Sequence, residues 1–290
     1  MRVLVTGAGG QLARELVSVA PSRVQLRTVT RAECDITDFA SVEHAFDSFQ
    51  PDIVINTAAY TSVDAAEENQ ELAFSVNARG AENVARATKA LGARLTHIST
   101  DYVFDGHRST PYPPDAATNP ASVYGASKAE GEKLVLRAAP SSVIIRTGWL
   151  YSTVGANFLV SIMKALRASR PLSVVSDRTG CPTSTHDFAI ALWQTSDIDL
   201  RGIYHWANAG SASWYDFARE IAQIAQRLGL LQEAPEICAV TSREYPQRAS
   251  RPPYSVLDTT ALITALKVTP SSWQQALLEE MTRWVSPDLG

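Results

Sequence analysis

Short apolar runs rich in β-branched residues recur along the first half of the chain, at Val3 to Val5, Val24 to Val29, Ile53 to Ile55, Leu95 to Ile98 and Val143 to Ile145. Runs of this length, with little polar alternation, predict strands buried on both faces. Between them the apolar positions take helical spacing, over Gln11 to Val19, Phe39 to Phe49, Glu67 to Leu91 and Tyr124 to Arg137. Strand followed by helix, repeated in this way, predicts an α/β fold with a Rossmann-type, doubly wound parallel sheet and right-handed crossovers.

After residue 148 the rhythm changes. A helix is expected around Phe158 to Leu166, a strand at Leu172 to Val175, a helix near Phe188 to Thr195 and a strand at Ile203 to Trp206. Ser213 with Asp216, and Ser272 with Gln275, each place a hydroxyl three residues before an acceptor, the signature of a helix start. The expected organisation is a nucleotide-binding Rossmann domain over 1–148, to which the chain returns at about 174–204, and a smaller, discontinuous α/β substrate lobe from 149–173 and 205–290. A ligand cleft is expected between the two.

Composition narrows the function. The 290 residues are 45% hydrophobic and 19% charged, ordinary values for a globular enzyme with a substantial core. Twenty-six basic and 30 acidic residues are interspersed and sum to −4, which gives no footprint for nucleic acid or an anionic membrane. Cys34, Cys181 and Cys238 are far apart and lack metal-ligand spacing, so neither a disulfide framework nor a zinc site is indicated. The opening "MRVLVTGAGG" has no secretory pattern, and no apolar run approaches a membrane span, so a cytoplasmic location is expected.

Candidate chemistry begins with "TGAGGQLA", residues 6 to 13, directly after the first strand. Gly7, Gly10 and Ala13 fit a glycine pattern that permits a tight turn, close approach to a pyrophosphate and close packing of the next helix. The free N–H groups of the helix starting near Gln11 would then point at the phosphates. A carboxylate for the ribose 2′-hydroxyl of NAD usually lies about 20 residues further on. Here the stretch is "LRTVTR", whose Arg27 and Arg31 either accept the 2′-phosphate of NADP or are solvated at a strand end. Asp35 and Ile36 in "CDITD" either hold the adenine or, for Asp35, cap the following helix. In "INTAAYTSVD", the small Ala58 and Ala59 let backbone run against a cofactor or simply form a turn, and Tyr60 or Val63 faces the nicotinamide side. Thr100 and Asp101 fall at the carboxyl end of a buried strand, where open α/β sheets place ligand contacts.

"SVYGASK" puts Tyr124 and Lys128 one helical turn apart on one face. An ammonium beside a phenol favours the phenolate and lowers its pKa, which prepares the tyrosine to exchange a proton with a carbonyl oxygen. A hydroxyl from Thr100 on the neighbouring strand would stabilise charge developing on the same oxygen.

Taken with "VNARGAENVA", "HISTDYVFDG", "YGASKAEGE", "IIRTGWLY", "DRTGCPTS", "GIYHWANAGSASWYDFA" and "RPPYSVLD", these motifs resemble the extended short-chain dehydrogenase/reductases that act on nucleotide sugars. The resemblance covers nearly the whole chain. It implies hydride transfer from NADPH, with NADH as an alternative donor, to C4 of dTDP-4-dehydro-β-L-rhamnose, giving dTDP-L-rhamnose for cell-surface polysaccharide. Tyr124 would be the acid, Lys128 would hold the nicotinamide ribose, and Thr100 would stand where a serine is usual. Gly10, Gln11 and Leu12 would meet the pyrophosphate, Asp35 and Ile36 the adenosine end, and Ala58, Ala59 and Tyr60 the middle of the cofactor. Asp101 and Trp149 would contact the sugar, and Arg251 the substrate lobe or the nucleotide. Arg178 stands where glutamine is common. Some members hold magnesium at a dimer interface; Glu15 matches one such position, but His186 stands where a carboxylate is wanted, so no obligatory metal is expected. The protein is expected as a monomer or homodimer. Two other readings remain: a nucleotide-sugar dehydratase or epimerase, of which a 4,6-dehydratase would need a carboxylate where Tyr102 follows Asp101, and a non-catalytic NADP-binding regulatory subunit.

Overall fold

In a computed structural model that describes residues 1–285, the apolar runs of the first half form β1 (Arg2–Thr6), β2 (Gln25–Val29), β3 (Ile53–Asn56), β4 (Arg94–Thr100) and β5 (Val143–Thr147). Between them lie α1 (Gln11–Ser18), α2 (Phe39–Phe49), α3 (Val63–Ala66), α4 (Gln70–Phe74), α5 (Ala81–Ala90) and α6 (Val123–Ala138). The chain then forms β6 (Leu150–Tyr151), α7 (Phe158–Arg167), β7 (Leu172–Val175), β8 (Thr179–Gly180), β9 (Thr183–Ser184) and α8 (Thr185–Thr195) before β10 (Gly202–His205). It ends with β11 (Ala212–Ser213), α9 (Trp214–Arg227), β12 (Ile237–Val240), α10 (Thr260–Leu266) and α11 (Trp273–Val285). The last residues of the expected substrate lobe, 286–290, lie outside the described residues.

The main sheet has six parallel strands in the order β10-β5-β4-β3-β1-β2, which is the doubly wound sheet expected from the alternation. Winding reverses at β1, which pairs with β2 on one side and β3 on the other. The carboxyl ends of β1 and β3 therefore frame the crevice where such sheets bind ligands. All four residues of β3 are buried, as a central strand requires, whereas the edge strand β2 is mostly half-exposed. Apolar side chains fill both faces of the sheet. Leu12, Leu16, Phe188 and Leu192 cover one side, and Val42, Phe46, Val84 and Val135 the other.

A third apolar cluster lies apart from the sheet, where Leu159 and Met163 of α7 meet Phe217 and Ile221 of α9 and Leu277 of α11. Its small sheet pairs β7 in parallel with β12, two segments more than 60 residues apart in sequence. Ser213 and Asp216 form the full capping box at the start of α9. At α11 only half of the expected box forms: Ser272 Oγ accepts from the Gln275 N–H at 3.2 Å, while the Gln275 side chain turns to Glu279 at 2.6 Å.

The helix expected over Glu67 to Leu91 is interrupted. Between α4 and α5 the chain takes a π-helical turn over Ser75–Gly80, which places Asn77 opposite the loop after β3. Its Oδ1 accepts from the Tyr60 N–H at 2.8 Å, and its Nδ2 donates to the Tyr60 carbonyl at 3.0 Å and to Ser127 Oγ at 2.9 Å. Such turns often mark functional positions, and this one ties the β3 loop to α6.

Candidate active site

A cleft of about 980 Å³ opens along the carboxyl edge of the sheet, with the third cluster forming its far wall. Gly10, Gln11 and Leu12 line one end of it. Gly7 turns the chain out of β1 at φ +78°, and a Cβ there would sit 2.9 Å from the Ala58 backbone. Only glycine fits this approach, because a side chain would meet both a forbidden conformation and the β3 loop. The Gly10 N–H closes the turn on the Gly7 carbonyl at 2.9 Å, and α1 begins at the next residue. Beneath the turn, Thr6 Oγ1 donates to Asn56 Oδ1 at 2.6 Å, and Asn56 Nδ2 donates to His97 Nδ1 at 3.0 Å. Burial holds His97 well below its usual pKa, so this row across β1, β3 and β4 is uncharged. Gln11 Oε1 reaches the far wall, accepting from Ser152 Oγ at 3.2 Å and Asn157 Nδ2 at 3.3 Å.

Thr100, Tyr124 and Lys128 all line the cleft. Thr100 ends β4, and Tyr124 lies in the first turn of α6, whose start is fixed by Ser122 Oγ accepting from the Gly125 N–H at 3.2 Å. Close approach of α6 to the turn that follows β4 depends on Gly125, since a Cβ there would collide with the Tyr102 carbonyl oxygen. The Tyr102 ring meets Tyr124 edge to face at 5.6 Å. Two consecutive residues of β4 then hold the next turns of the helix. Lys128 Nζ donates to the Ile98 carbonyl at 2.6 Å, and Ser99 Oγ donates to Glu132 Oε1 at 2.5 Å. Glu132 is bound in turn by Arg146 of β5, with Nε to Oε1 at 2.8 Å and Nη2 to Oε2 at 2.7 Å.

From sequence, the Lys128 ammonium is expected to lower the Tyr124 pKa. The opposite holds: burial pushes the phenol up to about 12, reinforced by the Asp101 charge and only partly opposed by the Thr100 hydroxyl. Desolvation of the phenolate is the largest influence, and the Lys128 amine donates to the Ile98 carbonyl. Burial also lowers Lys128 to about 8, against the pull of Glu132. Asp101, which accepts from Thr100 Oγ1 at 3.0 Å, is pushed up to about 6 by burial.

The remaining expected residues fall into two groups. Ala59, Asp101, Trp149 and Arg251 line the cleft, whereas Gly7, Ala58, Tyr60, Asp35 and Ile36 do not. Asp35 Oδ1 accepts from Thr37 N and Oγ1 at 3.0 and 2.7 Å, and the cap of α2 is Asp38. Ile36 is buried in the core beside Val29 and Val42. Arg27 donates to Ser48 at 2.9 Å, and the exposed Arg31 pairs with Asp35 at 3.2 Å. Trp149 has a left-handed backbone, φ +50°, and stacks on Trp214 with centroids 3.4 Å apart. Strain of this kind persists where packing over-determines it, often at ligand sites. Arg251 is held by Asp64, Nη2 to Oδ2 at 2.6 Å and Nη1 to Oδ1 at 3.1 Å. Sequence reasoning missed Asn77, Asp64, Glu132, Arg146 and Trp214. Only Glu132 had a local signal, four residues beyond Lys128 on the same helical face.

The family described as "RmlD substrate binding domain" matches residues 1–285. The chain belongs to this family. It is 41% identical over 284 residues to a dTDP-4-dehydrorhamnose reductase of Aggregatibacter actinomycetemcomitans, covering 95% of this chain and 97% of the relative. It is also 41% identical over 279 residues to the spore coat polysaccharide biosynthesis protein SpsK of Bacillus subtilis, covering 96% of each. Among solved structures, the dTDP-4-dehydrorhamnose reductase of Bacillus anthracis in complex with NADP superposes with a TM-score of 0.93 at 34% identity, covering 97% of this chain and 99% of that one. Membership of the RmlD family agrees with the nucleotide-sugar reductase resemblance of the motifs. Among the described residues no helix is long and apolar enough to cross a membrane.

Proposed function

We propose that this protein reduces the C4 keto group of dTDP-4-dehydro-β-L-rhamnose to give dTDP-L-rhamnose, a precursor of cell-surface polysaccharide, with NADPH as hydride donor. The observation that carries the reading is the convergence of Thr100, Tyr124 and Lys128 on one wall of a cleft whose other wall carries the Trp149–Trp214 stack. The dinucleotide fits the near end. Gly7 lets the chain turn tightly out of β1 against the Ala58 backbone, and the eight-residue α1 that follows starts in the cleft lining at Gln11 and Leu12, where its free N–H groups can meet phosphates. Gly10, Gln11 and Leu12 would hold the pyrophosphate, with Ala58, Ala59 and Tyr60 along its middle and Asp35 and Ile36 toward the adenosine. Arg27 and Arg31 favour a 2′-phosphate, and NADH is the weaker alternative. No metal is required by this chemistry.

When bound, the nicotinamide supplies a hydride to C4. Tyr124 gives its phenolic proton to the C4 oxygen as the carbon is reduced, so the carbonyl becomes a hydroxyl. A phenol raised to about 12 keeps that proton at neutral pH, which suits an acid in the reductive direction. Thr100 turns its hydroxyl from Asp101 to the same oxygen, and the Lys128 ammonium stabilises the phenolate left behind. Asp101 and Trp149 position the sugar. The work divides between a nucleotide-binding domain at 1–148, rejoined at about 174–204, and a substrate lobe from the remaining segments. We place the protein in the cytoplasm as a monomer or homodimer.

The test is direct. Purified protein is mixed with dTDP-4-dehydrorhamnose, and loss of NADPH or NADH absorbance is followed. Consumption with formation of dTDP-rhamnose is expected, and consumption of neither coenzyme would overturn the reductase reading in favour of a non-catalytic binding role.

A further inference from the structure

We propose that Arg178 is the side chain that grips the diphosphate of the nucleotide sugar. The inference rests on the nucleotide-sugar reading above and assigns a residue to it. Five charged side chains line the cleft: Asp64, Asp101, Lys128, Arg178 and Arg251. Four of them are committed. Arg251 has both terminal nitrogens on the Asp64 carboxylate, Lys128 donates to the Ile98 carbonyl, and Asp101 accepts from Thr100. Arg178 alone makes no hydrogen bond or ion pair among the described residues. Asp177, the carboxylate beside it in sequence, is occupied by Ser242, accepting from its N–H at 2.9 and 3.0 Å and from its hydroxyl at 2.9 Å.

Position agrees with charge. Arg178 follows β7 and directly precedes β8, which places it with the far wall rather than with the β1–β2 end where the dinucleotide's 2′-phosphate belongs. The same wall contributes Ile162, Ala165, Leu172 and Val174, an apolar surface suited to a nucleoside but with no charge of its own. A diphosphate brought into a cleft that already holds two carboxylates needs an uncommitted cation. A guanidinium meets phosphate oxygens through two parallel N–H bonds, so one free arginine is enough to fix orientation as well as charge.

Calorimetric titration of the NADP⁺-saturated protein with dTDP and with thymidine tests the assignment. The wild type should bind dTDP well above thymidine. Arg178→Ala should weaken dTDP on the order of 10- to 100-fold, the range for one lost charge-assisted contact, and leave thymidine unchanged. Arg178→Lys should recover part of the loss, since the charge returns without the planar fork. Arg178→Ala binding dTDP within about twofold of wild type would overturn the assignment, as would an equal loss for both probes, which marks a packing role. Wild type that binds no dTDP would sink the nucleotide-sugar reading itself, a result distinct from either.

Discussion

Replacing Glu132 with Gln removes the charge from one half of a buried ion pair and leaves Arg146 without its counter-ion in the protein interior. The side chains of Arg146 and Glu132 are only 2% and 4% exposed, and both carboxylate oxygens accept from the guanidinium. Removing one partner from such a pair costs about 3–5 kcal/mol, chiefly because the other charge stays desolvated. Arg146 keeps three other contacts, the Pro114 carbonyl at 3.1 Å, His205 Nε2 at 3.4 Å and the Phe104 ring at 5.0 Å, so the lower end of the range, about 3 kcal/mol, is expected. Arg146→Met should cost about as much, since Glu132 would retain only the Ser99 hydroxyl. The double variant strands no charge and should cost less than either single change. Urea denaturation of all four proteins, analysed as a double-mutant cycle at unchanged slope, measures the coupling. Single losses below about 1 kcal/mol, or a double loss equal to the sum of the singles, would refute the claim that this pair pins α6 to β4 and β5.

Tyr124→Phe should lower turnover about 10²- to 10⁴-fold, the contribution of a positioned acid, with NADPH affinity measured by fluorescence titration nearly unchanged. The pH profile of kcat/KM for reduction should be level between about pH 6, near which Asp101 titrates, and about pH 8, and fall above it, because the form with a protonated Lys128, lowered to about 8, is lost there while Tyr124, raised to about 12, keeps its proton. A profile flat to pH 10 would show that the ammonium is not needed. Gly125→Ala should cost about 1–3 kcal/mol in a thermal or urea melt, since its Cβ lands on the Tyr102 carbonyl and α6 must shift. Turnover should fall with it as Tyr124 moves off Thr100, and an unperturbed melt would mean the helix has room to spare.

Much of the fold was legible because a strand buried on both faces needs an unbroken apolar run, and β1, β3 and β5 each have one. The partner of β7 was not legible. β12 carries Cys238 and Ala239 exposed and is too short to announce itself, so only its pairing with Leu172–Val175 makes it a strand. The π-helical turn at Ser75–Gly80 was hidden for a related reason: its cause is a set of bonds from Asn77 to Tyr60 and Ser127, 17 and 50 residues away. Within the site, Thr100, Tyr124 and Lys128 could be found because strand ends and helical spacing are local properties. Arg251 shows the limit of that approach. Its motif marked it as a ligand residue, yet its guanidinium lies on Asp64, a partner 187 residues distant in sequence.

The sequence by itself determined the alternating strands and helices, the glycine turn after β1 and the one-turn spacing of Tyr124 and Lys128, since each depends on residues within a few positions of one another. Tertiary structure decided what those groups can do. Gly125 brings α6 onto the turn after β4, Ser99 ties the helix to the strand, and the resulting desolvation outweighs the expected effect on Tyr124, raising the phenol to about 12 instead of lowering it. Spacing along a helix is written in the chain, but a pKa depends on how much water remains around a group and where neighbouring charges point, and those follow only from packing.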